Sequence, residues 1–156
     1  MSLAAVNLPK YATVLNSGVG VLGTGASTVG ATLIGVDGIA ADAKVVYTAG
    51  AFGGMVESLM CSINDTAAAV NVIVYCMDGV TTVHPLGIVN VPINSGNLGT
   101  AANVDLINGL VGLPINSVFK KYIPLKANMT VKVAVLAAMT ANKYCYVHSS
   151  GVDFVA

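Results

Sequence analysis

From residue 44 onward the apolar positions recur with a period of two, in short runs cut by turn residues, which predicts strands rather than helices. Val45–Thr48 and Met55–Ile63 flank the small-residue stretch AGAFGG, and Ala69–Met77 (AVNVIVYCM) ends at Asp78-Gly79. Asp-Gly between two β-rich runs is a strong hairpin signal, so Val80–Val91 is predicted to fold back antiparallel. Pro85 and Pro92 remove ladder donors there, which places them on an edge strand or at strand ends. Met129–Ala137 puts Met129, Val131, Val133 and Val135 on one face and Thr130 and Lys132 on the other, and a last strand, Lys143–Ser149, precedes SSGVDF. One short helix fits the pattern, Thr100–Asn108, with Thr100 or Asn103 as cap and Gly109 just past its end.

Before residue 44 the pattern changes. Asn16–Gly38 reads NSGVGVLGTGASTVGATLIGVDG, almost uncharged and too glycine-rich for a helix, at about 1 kcal/mol per interior Gly relative to Ala. The chain therefore divides into residues 1–43, a glycine-rich N-terminal arm or first strands, and residues 44–156, an antiparallel β-sandwich. Ala69–Met77 is apolar on both faces, with Val70, Val72 and Val74 on one side and Ile73, Tyr75 and Met77 on the other. Its outward face needs cover from the arm or from a neighbouring subunit. The apolar residues of the arm, Leu8, Tyr11, Val14, Val19, Val21, Leu22, Leu33 and Ile34, are the candidate partner-contacting positions.

Composition sharpens this picture. The 156 residues are of one-domain size, 55% hydrophobic and only 9% charged, against roughly 25% charged in average soluble domains. Seven lysines balance seven acids and arginine is absent, so the chain lacks the bidentate donor that serves phosphate and guanine recognition, and nucleic acid is excluded as a partner. So much Val, Leu and Ile also excludes disorder. No stretch has the 18 or more uninterrupted apolar residues of a spanning helix, and MSLAAVNLPKYATV has no basic segment ahead of an apolar one, so neither a membrane nor a secretory signal is expected. Cys61, Cys76 and Cys145 are odd in number and widely spaced, which fits a reducing compartment and a role as small buried hydrophobes. A neutral chain this apolar calls for a partner that covers part of its surface.

The motifs that could carry chemistry are incomplete. Gly18, Gly20 and Gly23 spell GxGxxG, but no helix can open on the GTGASTVGATLIG that follows, so no pyrophosphate site forms. Gly25–Thr32 has the phosphate-loop spacing with alanine in place of the lysine. His84 and His148 restrict any hydrolytic triad, there is no GxSxG elbow, and only the neighbourhood of His148 and Asp153 could host a base and its orienting acid. Two separate histidines and three scattered cysteines give no metal spacing, and the acids are dispersed. The reading is a protein that is not an enzyme, with no cofactor and no metal. Asn64-Asp-Thr66 and Asn128-Met-Thr130 match the glycosylation pattern but read as turn-forming asparagines, and Lys120-Lys121 reads as a solvated basic loop.

Four segments carry a family resemblance. VVYTAGAFGGMVESLMCSIND resembles the TAGA-containing block of small capsid cement (decoration) proteins of tailed bacteriophages. HPLGIVNVP is similar to that family's LG-x-V-x-[IV]-P strand, IPLKANMTVKVAV to its L-x-LPAGYTLRV strand, and SSGVDF to its terminal GGDY. The blocks occur in the family's order over about two-thirds of the chain. Asn128-Met129 stands where the family has Gly-Tyr, Ser149-Ser150 where it has a glycine pair, and the first forty residues match only through NLPKYAT. The resemblance implies a jelly-roll β-sandwich that binds the outer surface of the capsid and stabilises it by bridging major capsid subunits. It further implies self-association as a dimer or trimer, and a place on the virion exterior after synthesis in the bacterial host cytoplasm. The competing reading is a receptor- or carbohydrate-binding virion module on the same sandwich, against which the low aromatic content and the lack of tryptophan weigh.

Overall fold

The computed structural model describes residues 12–23, 43–79, 82–97, 101–137 and 139–155. In chain order the strands are β1 (Ala12–Leu22), β2 (Lys44–Thr48), β3 (Gly54–Ile63), β4 (Val70–Asp78), β5 (Thr82–Val91), β6 (Val104–Asp105), β7 (Ile123–Leu125), β8 (Thr130–Val135) and β9 (Cys145–Val155), with one helical turn, α1 (Leu106–Gly109), between β6 and β7. They make two antiparallel sheets. Sheet A has the order β1-β9-β3-β6, with β7 also paired to β3, and sheet B has the order β2-β8-β4-β5. The inward side chains of both sheets form one core, including Val56, Leu59, Val72, Val74, Val131 and Val133. This is the packing that period-two apolar runs require when each strand has a face to bury.

The predicted strands are present, with shifted ends. The Asp78-Gly79 turn joins β4 to β5, and Gly79 takes the left-handed conformation at φ 71°. Pro85 lies on β5, the edge of sheet B, beside a register shift, and Pro92 follows the strand end. β9 continues well past Ser149, because Ser150 and Gly151 are paired on both sides, with β1 and β3, and that double ladder overrides their turn propensity. The helix starts later than its pattern predicts. Val104-Asp105 pairs with Met60 and Cys61 and so stays extended, after which Asp105 Oδ1 caps the turn by accepting from the Ile107 amide at 3.0 Å. Gly109 is therefore the last helical residue, and Leu110 follows it. Both faces of β4 are buried. Ile73, Tyr75 and Met77 form a second cluster with Ala134 on the outer face of sheet B, against which Ala43, Val83 and Leu136 pack.

The two long sides of the sandwich differ. On the β1/β2 side the sheets meet tightly. Val45 pairs with Lys132 and Tyr47 with Val131, so Val46 is an extra, bulged residue. The bulge turns both Val46 and Tyr47 into the core and leaves the Val46 carbonyl outside the ladder. Ser149 on β9 donates its buried hydroxyl to that carbonyl, and Gly18 on β1 lies so close to it that an added Cβ would collide with the backbone. On the β5 side, α1 fills the gap between the sheets at one end with Leu106, Ile107 and Leu110, all fully buried or nearly so.

At the loop end, Asp65 is buried and ties two segments together. Its Oδ1 accepts from the Ala67 and Ala68 amides at 2.8 and 3.3 Å, and its Oδ2 accepts from the Thr140 amide at 3.1 Å. Hydrogen bonding from Thr140, then from the two alanine amides, outweighs the cost of burial and holds its carboxyl down at about 2.

Two outcomes follow. Gly18→Ala should lower the unfolding free energy by roughly 1–3 kcal/mol, the usual cost of forcing atoms into a packed site, read as a shift of the urea midpoint; Ser17→Ala, on the exposed side of the same strand, should stay within about 0.5 kcal/mol. The depressed carboxyl of Asp65 stabilises the fold above the unfolded pKa of roughly 3.9, and that contribution disappears as pH falls toward about 2. Asp65→Asn should therefore be less stable than the parent at neutral pH and converge on it at the acid end, in urea titrations at stepped pH.

Candidate interaction surfaces

The chemistry-bearing residues do not assemble. Along β9 the side chains alternate, so His148 points outward and is exposed, whereas Asp153 sits on the opposite face. The single neighbourhood that could have hosted a base and its acid is thus split across a sheet. His84 belongs to sheet B, opposite Cys76 on β4. Among the described residues no three His, Cys, Asp or Glu side chains are grouped to hold a metal ion. All three cysteines are buried. The Cys61 thiol is pushed up by its hydrogen bond with Cys145, their sulfurs 3.2 Å apart, and by burial, and burial alone raises Cys76 to about 12. Neither Cys61 nor Cys76 is a ready thiolate. No helix among the described residues is long and apolar enough to cross a membrane.

Asp153 has a structural position instead. Its Oδ1 accepts from the Tyr47 hydroxyl at 2.8 Å and its Oδ2 from the Asn16 amide at 2.8 Å, and the same Asn16 nitrogen reaches the Thr48 carbonyl at 2.9 Å. One carboxylate thereby ties β9 and β1 to β2 across the two sheets. Burial, then the bond to Asp153, raises the Tyr47 hydroxyl well above its ordinary value.

What the structure does bring together is an apolar outer face on sheet A. β1 carries no charge and no proline over its 11 residues, and it pairs with β9 in unbroken register. Its odd positions point outward, leaving Leu15 88% exposed, Val19 57% and Val21 42%. Across the ladder stand Val152 opposite Leu15, His148 opposite Val19 and Tyr146 opposite Val21, and the Tyr144 and Tyr146 rings lie 6.2 Å apart. Glu57 borders the Leu15 end. Among the described residues β1 pairs with no strand other than β9. Such an edge is normally guarded by a charge, a proline or a bulge, and here none is present.

Of the positions expected from the sequence, Val14, Val19 and Val21 are exposed on β1. Leu22 faces the opposite way and is fully buried in the core. Leu8, Tyr11, Leu33 and Ile34 lie outside the described residues. Leu15 is the residue that sequence reasoning missed. Its signal was the alternation Leu15, Val19, Val21 against Gly18, Gly20 and Leu22, which glycine obscured. Lys120 is exposed, in keeping with a solvated loop, but Lys121 is not free. Its ammonium donates to the Asn108 and Leu110 carbonyls at 3.0 and 2.5 Å and so caps the end of α1.

No protein-family model matches this sequence, and no curated protein matches it. In structure the chain is similar to a chain of the cyanophage Pam1 capsid asymmetric unit, with a TM-score of 0.46 and 15% sequence identity over 98% of this chain and 94% of that one.

Proposed function

We propose that this protein is a structural virion component, a cement or decoration protein that binds the outer surface of a phage capsid and stabilises it by bridging major capsid subunits. The observation that carries the reading is the uncharged apolar strip of β1, Leu15, Val19 and Val21, on a strand that ends its sheet among the described residues and itself holds no charge, proline or bulge. In a free protein such a strip invites aggregation; on a shell it is covered. The sequence resemblance to phage cement proteins supports the same reading, and the alternation of strands between the two sheets supports the jelly-roll connectivity that it implies.

Affinity in this reading comes from apolar burial and strand pairing at the β1 edge rather than from charge. Residues 1–43 act as an intersubunit arm around β1, with Leu8, Tyr11, Leu33 and Ile34 extending the contact made by Val14, Val19 and Val21 to a neighbouring copy or to the shell. Each bound copy stabilises the shell in proportion to its occupancy, and repetition over a symmetric lattice multiplies contacts that are individually weak. The protein needs no reactive group for this, since the work is done by binding energy alone.

The test is co-sedimentation with purified shells lacking the protein. The parent should stay bound with little change between about 50 and about 500 mM salt, because screening acts on charge pairs and not on apolar burial. The double variant Leu15→Lys, Val19→Lys should fold normally, since both positions are exposed, and lose tenfold or more in occupancy, by roughly 1.4 kcal/mol per decade. Full occupancy by that variant, or a steep loss of the parent with salt, would contradict the proposal.

A further inference from the structure

Two of the three cysteines stand together. Cys61 on β3 and Cys145 on β9 both turn into the core and are fully buried. In the ladder between these strands Cys61 is opposite Val147 and Cys145 is opposite Ile63, so the two cysteines are diagonal neighbours on the inward face of one strand pair. Their sulfurs share a hydrogen bond at 3.2 Å, closer than the roughly 3.5–4.0 Å of ordinary non-bonded packing between heavy atoms. A disulfide has its sulfurs at about 2.05 Å, so closure asks for an approach of little more than an ångström. Cys76 lies on β4 of the other sheet, opposite His84.

The place of the pair in the sheet decides how it is reached. Cys145 is the first residue of β9, and its ladder partners, Leu22 on β1 and Ile63 on β3, are the last residues of their strands. Three strands thus end on one row, and a sheet opens first at such an end. The hydrogen bond to Cys145, then burial, keeps the Cys61 thiol protonated while the row is closed, so the pair is inert in the closed sheet and reacts through its opening. The two positions are 84 residues apart in the chain. The segment between them holds β4, β5 and β8, three of the four strands of sheet B. A bond across it would join the central strands of sheet A and close a long loop in the unfolded chain, where cross-links restrict most.

We propose that Cys61 and Cys145 are a site of covalent modification, a dithiol that an external low-molecular-weight disulfide oxidises to an internal disulfide, stapling β9 to β3 at the end of sheet A. When the row opens, the Cys145 thiol loses its proton to solvent and attacks one sulfur of the external disulfide, displacing the first thiolate and forming a mixed disulfide. Cys61, deprotonated in turn, attacks the Cys145 sulfur and displaces the second thiolate. The two cysteines lose two protons and two electrons, and the external disulfide is reduced to two thiols. The chemistry belongs to the free chain; its occasion rests on the proposed function, in which the protein is made in a reducing cytoplasm and ends on a virion exterior, where disulfides persist. The staple would then form after release and reinforce the chain where it works.

The test uses the full chain, purified reduced and then exposed under native conditions to oxidised glutathione, with no shells present. Free thiols are counted by alkylation after denaturation, and linked peptides are identified by mass spectrometry. Over minutes to hours the parent should lose two hydrogens, keep one alkylatable cysteine of its three, and yield a peptide pair linked through Cys61 and Cys145. Its thermal midpoint should rise by roughly 5–15 °C and return on reduction with dithiothreitol. Cys76→Ala should respond as the parent does, whereas Cys61→Ala and Cys145→Ala, whatever their starting midpoints, should gain nothing on oxidation. Three alkylatable cysteines after exposure, a lasting glutathione adduct with no internal link, a link through Cys76, or an oxidised chain of unchanged midpoint would overturn the inference. So would a link that forms only in urea, because native opening would then not reach the pair. Failure here leaves the capsid reading standing, and a Leu15→Lys, Val19→Lys variant that kept full shell binding would count against that reading alone.

Discussion

The sandwich depends on a single backbone carbonyl. The bulge at Val46 removes that oxygen from the β2–β8 ladder, and a buried carbonyl left without a partner would cost roughly 1–3 kcal/mol. Ser149 of the opposite sheet donates to it, and the chain can bring Ser149 that close only because Gly18, on the neighbouring strand, has no side chain to obstruct the approach. The contact is reinforced a few residues away by Asp153, which receives Tyr47 from one sheet and Asn16 from the other. One long side of the sandwich is in this way locked by polar groups at close range. The other side, where α1 packs Leu106, Ile107 and Leu110 into the core, has no equivalent polar lock among the described residues.

This asymmetry organises the surfaces. Locking β1 against β2 fixes the orientation of β1, so Gly18, Gly20 and Leu22 must face inward and Leu15, Val19 and Val21 must face solvent. The apolar strip is therefore a consequence of the closure and cannot be withdrawn without breaking it. A second kind of surface lies elsewhere, in the apolar cleft lined by Met55, Leu125 and Met129 and in the exposed Phe119 of the loop after α1. A protein with 9% charged residues keeps two such surfaces in water at a cost in solubility, which is reasonable when both are covered in an assembly.

Much of the fold is legible in the sequence where the determinant is local. The Asp78-Gly79 turn specifies its hairpin because glycine alone takes φ 71° without strain, and the alternation through Val131, Val133 and Val135 identifies the buried face of β8 directly. The doubly apolar run of β4 is likewise read correctly as buried on both sides. What is not legible depends on distant partners. Val45-Val46-Tyr47 looks like an ordinary strand, and nothing in it announces that Val46 will bulge toward Ser149, 103 residues away. Ser149-Ser150-Gly151 looks like a turn, and only the strands on either side make it a central strand. Of the candidate site, Val19 and Val21 follow from apolar character, and Leu22 is turned inward by alternation.

The central claim is that this chain is a stoichiometric part of a virus shell. The most direct measurement is quantitative mass spectrometry of purified virions whose genome carries this sequence, with copy number referred to the major capsid protein. A fixed ratio across independent preparations, unchanged by a high-salt wash, is the expected result. Absence from the virion, or a trace amount that varies between preparations, would contradict it.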